Sequence, residues 1–313
     1  MKLNRQALDV CRQLFDSADS MRIEKHQVGS ARVLDCGIEV AGGLWAGRML
    51  AECCLAGLGR VDLVPGPGQL SRGPFVQVTT DQPVAACMAS QYAGWEVKVG
   101  DYFAMGSGPM RAAANCETMF EDIGYAEKPD VAVGVLETPT MPTPKVVKML
   151  ADACSVAERD LLLLVAPTAS LAGNLQVIAR SVETSMHKLY ELGFDLDRVQ
   201  SGWGLAPLPP VAGDDLTAIS RTNDAILYGS EVTLWLQGDD ASLEEVGPQV
   251  PSNSSADHGE PFGKLFARYD NDFYKIDRHL FSPAIVNLVN LDTGRSFRFG
   301  EQVPDILQRS FYQ

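Results

Sequence analysis

Arg180 and Glu183 stand three residues apart within LLLLVAPTASLAGNLQVIARSVETSMHKL, where helical i, i+3 spacing puts a guanidinium and a carboxylate on one face. A carboxylate held by an arginine stays ionised at neutral pH and can orient or deprotonate water. On most helices such a pair is a solvated surface contact of little energetic weight. The surrounding residues here are small and apolar, so the same face could instead line a cleft, and both readings stand. His187, four residues after Glu183, shares that face, although a solvated helix histidine is the commoner outcome.

Two loops offer further polar groups. APTASLAGN, residues 166–174, leads from an apolar strand into that helix, and presents Thr168, Ser170 and Asn174 where ligands bind at the carboxyl end of a sheet. Asn174 reads equally as a helix cap. Gly106, Ser107 and Gly108 precede Pro109 and a helix, so backbone amides could receive an anion there. The order resembles a dinucleotide fingerprint, but Arg111 takes the place of its third glycine and no acid follows at the expected offset. The alternative is a tight turn with Pro109 at the first helical position. Ser107 lacks a G-x-S-x-G setting, which argues against a hydrolase elbow. SGWGLAPLPP, residues 201–210, reads as a rigid loop, and the pairs Asp214-Asp215 and Asp239-Asp240 read as turn residues.

No metal centre is expected. The histidines at 26, 187, 258 and 279 make no H-x-x-x-H spacing, and the seven cysteines contain no C-x-x-C pair. Most cysteines sit in apolar stretches such as AACMAS, which predicts reduced core thiols.

The elements that must carry these groups follow from periodicity. Residues 4–16 repeat apolar positions at helical spacing, ARVLDCGIEV alternates, and LWAGRMLAECC reads as a small-residue helix. FVQVTTD, VAACMASQY and WEVKVG predict sheet. PDVAVGVLE, a helix at 143–153, DLLLLVAPT and one long helix over 174–193 make a β-α-β-α run. TAISRTNDAILYG and EVTLWLQ add a helix and a strand. ASLEEVGPQVPSNSSADHGEP reads as loop, and AIVNLVNLDTGRSFRFG as a hairpin.

This pattern predicts a mixed α/β, α+β protein of two domains with mixed sheets flanking a deep inter-domain cleft. One domain is expected over 1–75 with 275–313, the other over 76–274. Among 313 residues, 26 Lys and Arg stand against 40 Asp and Glu, a formal charge of −14 that opposes nucleic-acid binding and gives no polybasic membrane patch. No apolar run reaches the ~18 residues of a membrane span, and the N-terminus lacks the apolar core of a secretion signal, so a cytoplasmic protein is expected.

Several stretches together resemble methenyltetrahydromethanopterin cyclohydrolase. They are DCGIEVAGGLWAG, SQYAGWEVKVGDYFAMGSGPMRA, LLVAPTASLAGNLQVIARSVETSMHKLYELGFD, SGWGLAPLPP with SRTNDAILYG, and YDNDFYKIDRHLFSPA. The resemblance covers nearly the whole chain. It implies reversible hydrolysis of an N5,N10-methenyl-tetrahydromethanopterin to the N5-formyl form, with neither metal nor redox cofactor, in a cytoplasmic homotrimer whose partner is a small pterin. It also implies that Glu183 activates or positions water and that Arg180 tunes it. The substrate contacts expected are the loop residues Gly106, Ser107, Gly108, Thr168, Ser170 and Asn174 named above, together with Tyr92. Some archaeal members carry a lysine in the SQ-x-AGW stretch where this chain has Tyr92, and Lys98 does not occupy the same place. Two other readings are a nicotinamide-dependent pterin oxidoreductase, resting on GSGPMRA alone, and a noncatalytic pterin-binding protein.

Overall fold

In the computed structural model, residues 1–270, 272 and 275–313 are described. Asn271, Phe273 and Tyr274, within the family-like stretch 269–284, lie outside the described residues. The chain divides into Met1–Arg60 with Ala85–Val177, here unit 1, and Val61–Val84 with Ile178–Gln313, unit 2.

Unit 1 is built on six strands: β1 (Glu24–Val28), β2 (Ala31–Asp35), β5 (Trp95–Val99), β6 (Tyr102–Ser107), β7 (Ala132–Glu137) and β8 (Leu161–Ala166), in the order β1-β2-β8-β7-β6-β5. The central β2, β8 and β7 are parallel, with antiparallel hairpins on either side. Every residue of β8 is buried, as a strand covered on both faces requires. Alternation assigns the faces. Val133, Val135, Leu162 and Leu164 pack with helices α1 (Leu3–Asp16) and α3 (Leu44–Cys54), flanked by the short α2 (Ala18–Met21). Ala132, Leu136, Leu161 and Leu163 pack with α6 (Pro144–Ala153). Thr143 starts α6, its Oγ1 accepting from the Val146 N–H at 3.4 Å. Helices α4 (Met110–Ala114), α5 (Met119–Asp122) and α7 (Leu171–Ile178) complete the unit.

Unit 2 holds β3 (Gly59–Val64), β4 (Phe75–Thr80), β9 (Val199–Pro207), β10 (Glu231–Leu236), β11 (Ile285–Asn290) and β12 (Ser296–Gly300), in the order β12-β11-β10-β9-β4-β3. β10 and β11 pair in parallel, whereas β9 runs antiparallel to both β10 and β4, and β12 antiparallel to β11. Its helices are α8 (Ser181–Glu191), α9 (Asp215–Gly229), α10 (Asp240–Val246), α11 (Phe262–Arg268) and α12 (Pro304–Tyr312).

The mixed α/β fold in two units is the one expected, but five expectations are corrected. The units do not group 1–75 with 275–313, because β11 pairs with β10, Glu231 opposite Ile285, while β1 and β2 join β8. SGWGLAPLPP is not a loop, since most of it is the central strand β9. The helix expected over 174–193 breaks at Ala179–Arg180 into α7 and α8. VAACMASQY forms a π-helical segment (Val84–Gln91), with the Tyr92 N–H bonded to the Cys87 carbonyl at 2.8 Å. In addition, the segment read as loop after β10 begins with α10, which Asp239 caps by accepting from the Ser242 N–H at 2.8 Å.

Candidate active site

Arg180 and Glu183 belong to unit 2. Arg180 is the residue before α8, with φ −92° and ψ 7°, and its carbonyl accepts the Thr184 N–H at 2.9 Å. Glu183 lies in the first turn of α8, where the positive end of the helix dipole favours an anion. Arg180 is 7% and Glu183 4% exposed, which rules out the solvated surface pair. Two glycines of β9 bring this helix start against the sheet. A Cβ on Gly202 would stand 2.6 Å from Val182 Cγ1, and one on Gly204 2.3 Å from Ser181 Oγ. His187 is 3.7 Å from Glu191, which also pairs with Arg278 at 2.7 Å. Lys188, on the same helix, is buried and donates to the His279 carbonyl and to Ser254 Oγ, and burial pushes its ammonium down to about 8.

In unit 1 the carboxyl ends of β2, β8 and β7 are Asp35, Ala166 and Glu137. Asp35 is spent on its own loop, accepting from the N–H groups of Gly37, Ile38 and Glu39 at 2.7–2.8 Å. That folds the loop so closely over the next one that a Cβ on Gly37 would meet Ser170 Oγ at 2.5 Å. Ser170 accepts from the Gly173 N–H at 3.0 Å and donates to the Pro167 carbonyl at 2.8 Å, so Ser170 caps α7 and Asn174 lies inside it, 2% exposed. Thr168, 2% exposed, donates to Glu137 Oε1. Glu137 was not singled out from the sequence. The available signal was an acid closing an otherwise apolar strand, AVGVLE.

Gly106, Ser107 and Gly108 are not gathered with Thr168 and Ser170. Antiparallel register sets Ser107 opposite Val135, in the middle of β7, and all three residues are buried. The Gly108 N–H is bonded to the Ser90 carbonyl at 2.8 Å, and Ser107 Oγ lies 3.2 Å from Cys54 Sγ. Gly108 has φ +86°, as a turn glycine should, but the following α4 has only five residues. Their visible role is packing. Tyr92 is half-buried with the Arg111 guanidinium 5.0 Å from its ring centre. That arginine is fully buried and grips Glu117 with two nitrogens, at 2.8 and 2.5 Å.

Among the described residues, Glu24, His26 and Glu39 are the group whose ligand atoms lie within 4.8 Å of one another, which the wide spacing in sequence hid. Both carboxylates are exposed, as solvated carboxylates ordinarily are, and no second observation marks a metal site there.

Arg180 and Glu183 are thus buried at the start of α8 rather than within one long helix, and the hydroxyl loop follows β8 at the carboxyl ends of the parallel strands. The family described as Cyclohydrolase (MCH) matches residues 2–311. The chain is 46% identical to the methenyltetrahydromethanopterin cyclohydrolase of Rhodopirellula baltica, over 99% of this chain and 94% of that one. It is 45% identical to the enzyme of that name from Xanthobacter autotrophicus, over 95% and 89%. With the one from Methanococcoides burtonii the identity is 38%, over 99% and 98%. On that breadth of match, across bacterial and methanogen relatives alike, the chain belongs to the methenyltetrahydromethanopterin cyclohydrolase family.

Proposed function

We propose that this chain reversibly hydrolyses the N5,N10-methenyl group of a tetrahydromethanopterin-type carrier to the N5-formyl form. The observation that carries the reading is the burial of Arg180 and Glu183 together at the start of α8, in the positions to which the family resemblance points. The substrate is a planar amidinium cation whose central carbon is already electrophilic, so the enzyme's task is to place water and take its proton. Water adds to that carbon as Glu183 accepts a proton. The bond from carbon to N10 then breaks, N10 leaves with one of the water's protons, and the other proton is released. Arg180 keeps the carboxylate charged and oriented. A chain of net charge −14 suits a cationic substrate.

Thr168, Ser170, Asn174 and Tyr92 are the proposed substrate contacts, and no metal or redox cofactor takes part. No described helix is long and apolar enough to cross a membrane, and we place the enzyme in the cytoplasm as a homotrimer. The nicotinamide reading loses its support, because the Gly108 N–H and the Arg111 guanidinium that a dinucleotide phosphate would need are committed to protein partners.

Mixing purified protein with the methenyl carrier should abolish the absorbance of the conjugated methenyl group without NAD(P). Decay only with nicotinamide would establish the oxidoreductase, and binding without decay the noncatalytic reading. Light scattering should give a trimer mass at micromolar concentration, and a stable monomer would refute that assembly.

A further inference from the structure

Three carboxyl-terminal strand ends meet at one edge of the unit 1 sheet, and they differ in what their polar groups still have to give. Asp35, at the end of β2, is saturated by three backbone N–H groups. Ala166, at the end of β8, has no polar side chain. Glu137, at the end of β7, is half-buried, and its contact within the protein is the hydroxyl of Thr168 on Oε1. Among the described residues no cation pairs with Glu137, and no protein donor reaches its other oxygen. A part-buried carboxylate in a chain of net charge −14 is poorly served by one neutral donor, since carboxylate oxygens have about four lone-pair sites between them. Thr168 is itself buried and begins the loop that Ser170 and Gly37 lock in place, so the carboxylate is held at a fixed orientation.

The ligand chemistry that completes such a group is a flat pair of adjacent N–H donors, matched to two carboxylate oxygens as a guanidinium is. A reduced pterin presents that pair as its ring N3–H and exocyclic 2-amino group. We infer that Glu137 binds the 2-amino-pyrimidinone edge of the substrate's pterin ring, and that Thr168 is the positioning residue that aims it. The inference deepens the function proposed above and rests on it for the identity of the ligand. It assigns Glu137 to substrate selection, with no part in moving protons at the methenyl carbon.

Its test is binding of the carrier without its one-carbon unit, tetrahydromethanopterin, followed by titration of the wild type, Glu137→Gln and Thr168→Val after circular dichroism has shown each to be folded. Glu137→Gln presents one acceptor and one donor where the edge needs two acceptors, and should weaken binding about 10- to 100-fold, with the loss in hydrolysis falling on KM more than on kcat. Thr168→Val should weaken it less. A second measurement needs no variant: a reduced 6-methylpterin should displace the carrier from wild type at least about tenfold better than the 2-oxo analogue, and Glu137→Gln should level the two. Unchanged carrier affinity in a folded Glu137→Gln protein overturns the inference, as does equal competition by the two fragments in wild type. If wild type binds the carrier with the stated preference but hydrolyses nothing, the hydrolase reading fails while Glu137 keeps its role. If it hydrolyses without the preference, the opposite holds.

Discussion

Ser181 on α8 and Gly204 on β9 are in such close apposition that a single methyl on the glycine would stand 2.3 Å from the serine Oγ. The start of the helix carrying Arg180 and Glu183 is therefore seated on bare backbone. Gly204→Ala should cost about 1–3 kcal/mol of stability through overpacking, since Val182 Cγ2, at 2.9 Å, blocks the alternative direction as well. Urea unfolding would measure it, and hydrolysis should fall further than stability alone explains because the first turn of α8 must lift. A variant with wild-type stability and rate would show that the helix start has room to shift.

Glu183→Gln keeps the shape of the side chain and removes the base. Turnover should drop by about 10² to 10⁴ with the fold intact. Wild-type turnover in that variant would remove Glu183 from the chemistry.

Arg180→Lys retains the positive charge and loses the planar fork, so its rate should lie between those of wild type and Arg180→Leu. Equal rates in the lysine and leucine variants would mean that charge at this position is not what matters.

Asp224, buried on α9, accepts the Phe262 N–H at 2.7 Å, and burial pushes its carboxyl up to about 7. The folded state thus holds a proton that the unfolded state releases near the usual 3.8. Charging this group disfavours folding progressively as pH rises from about 4 to about 7, and the full effect persists above 7. Asp224→Asn still offers an acceptor to Phe262 but never charges. Its gain in thermal midpoint over wild type should therefore be larger at pH 8 than at pH 5, and a gain independent of pH would contradict the assignment.

Six of the seven cysteines are buried and Cys116 is exposed. Burial holds the Cys53 thiol well above its ordinary range, and its sulfur is 3.4 Å from that of Cys11. A water-soluble thiol reagent should label Cys116 within minutes and the others only on unfolding. Rapid labelling of several thiols in the folded protein would show that α1 and α3 open readily.

The extent to which the sequence was legible depended on whether one element's own pattern decided its fate. The apolar spacing of Ala7, Leu8, Cys11 and Leu14 declared α1, and the alternation through Val286 and Leu288 declared the last hairpin. SGWGLAPLPP read as loop because the purpose of Gly202 and Gly204, letting Val182 and Ser181 approach, belongs to another element. Apolar periodicity runs unbroken through Ala179 and Arg180, so the end of one helix and the start of the next left no mark. The pairing partners of β11 were equally hidden, since composition does not say which edge a strand will join. Of the candidate site, Arg180 and Glu183 were named through the family resemblance and the Thr168 loop from its place after an apolar strand, while spacing alone left Arg180 and Glu183 open to a surface ion pair that their burial rules out. Glu137 was not named, because its meaning comes from a threonine 31 residues away that register brings alongside it.

The π-helical turn before Tyr92 has an evolutionary reading. A π turn accommodates one residue more than an α-helix over the same rise, so losing a single residue from 84–91 would leave a hydrogen-bonded helix standing. What such a deletion would change is bearing. Each helical residue advances about 100° around the axis, enough to swing Tyr92 away from the Arg111 guanidinium that now lies 5.0 Å from its ring. The surplus residue acts as a spacer that indexes one side chain, and natural length variation at this point should track what stands at position 92.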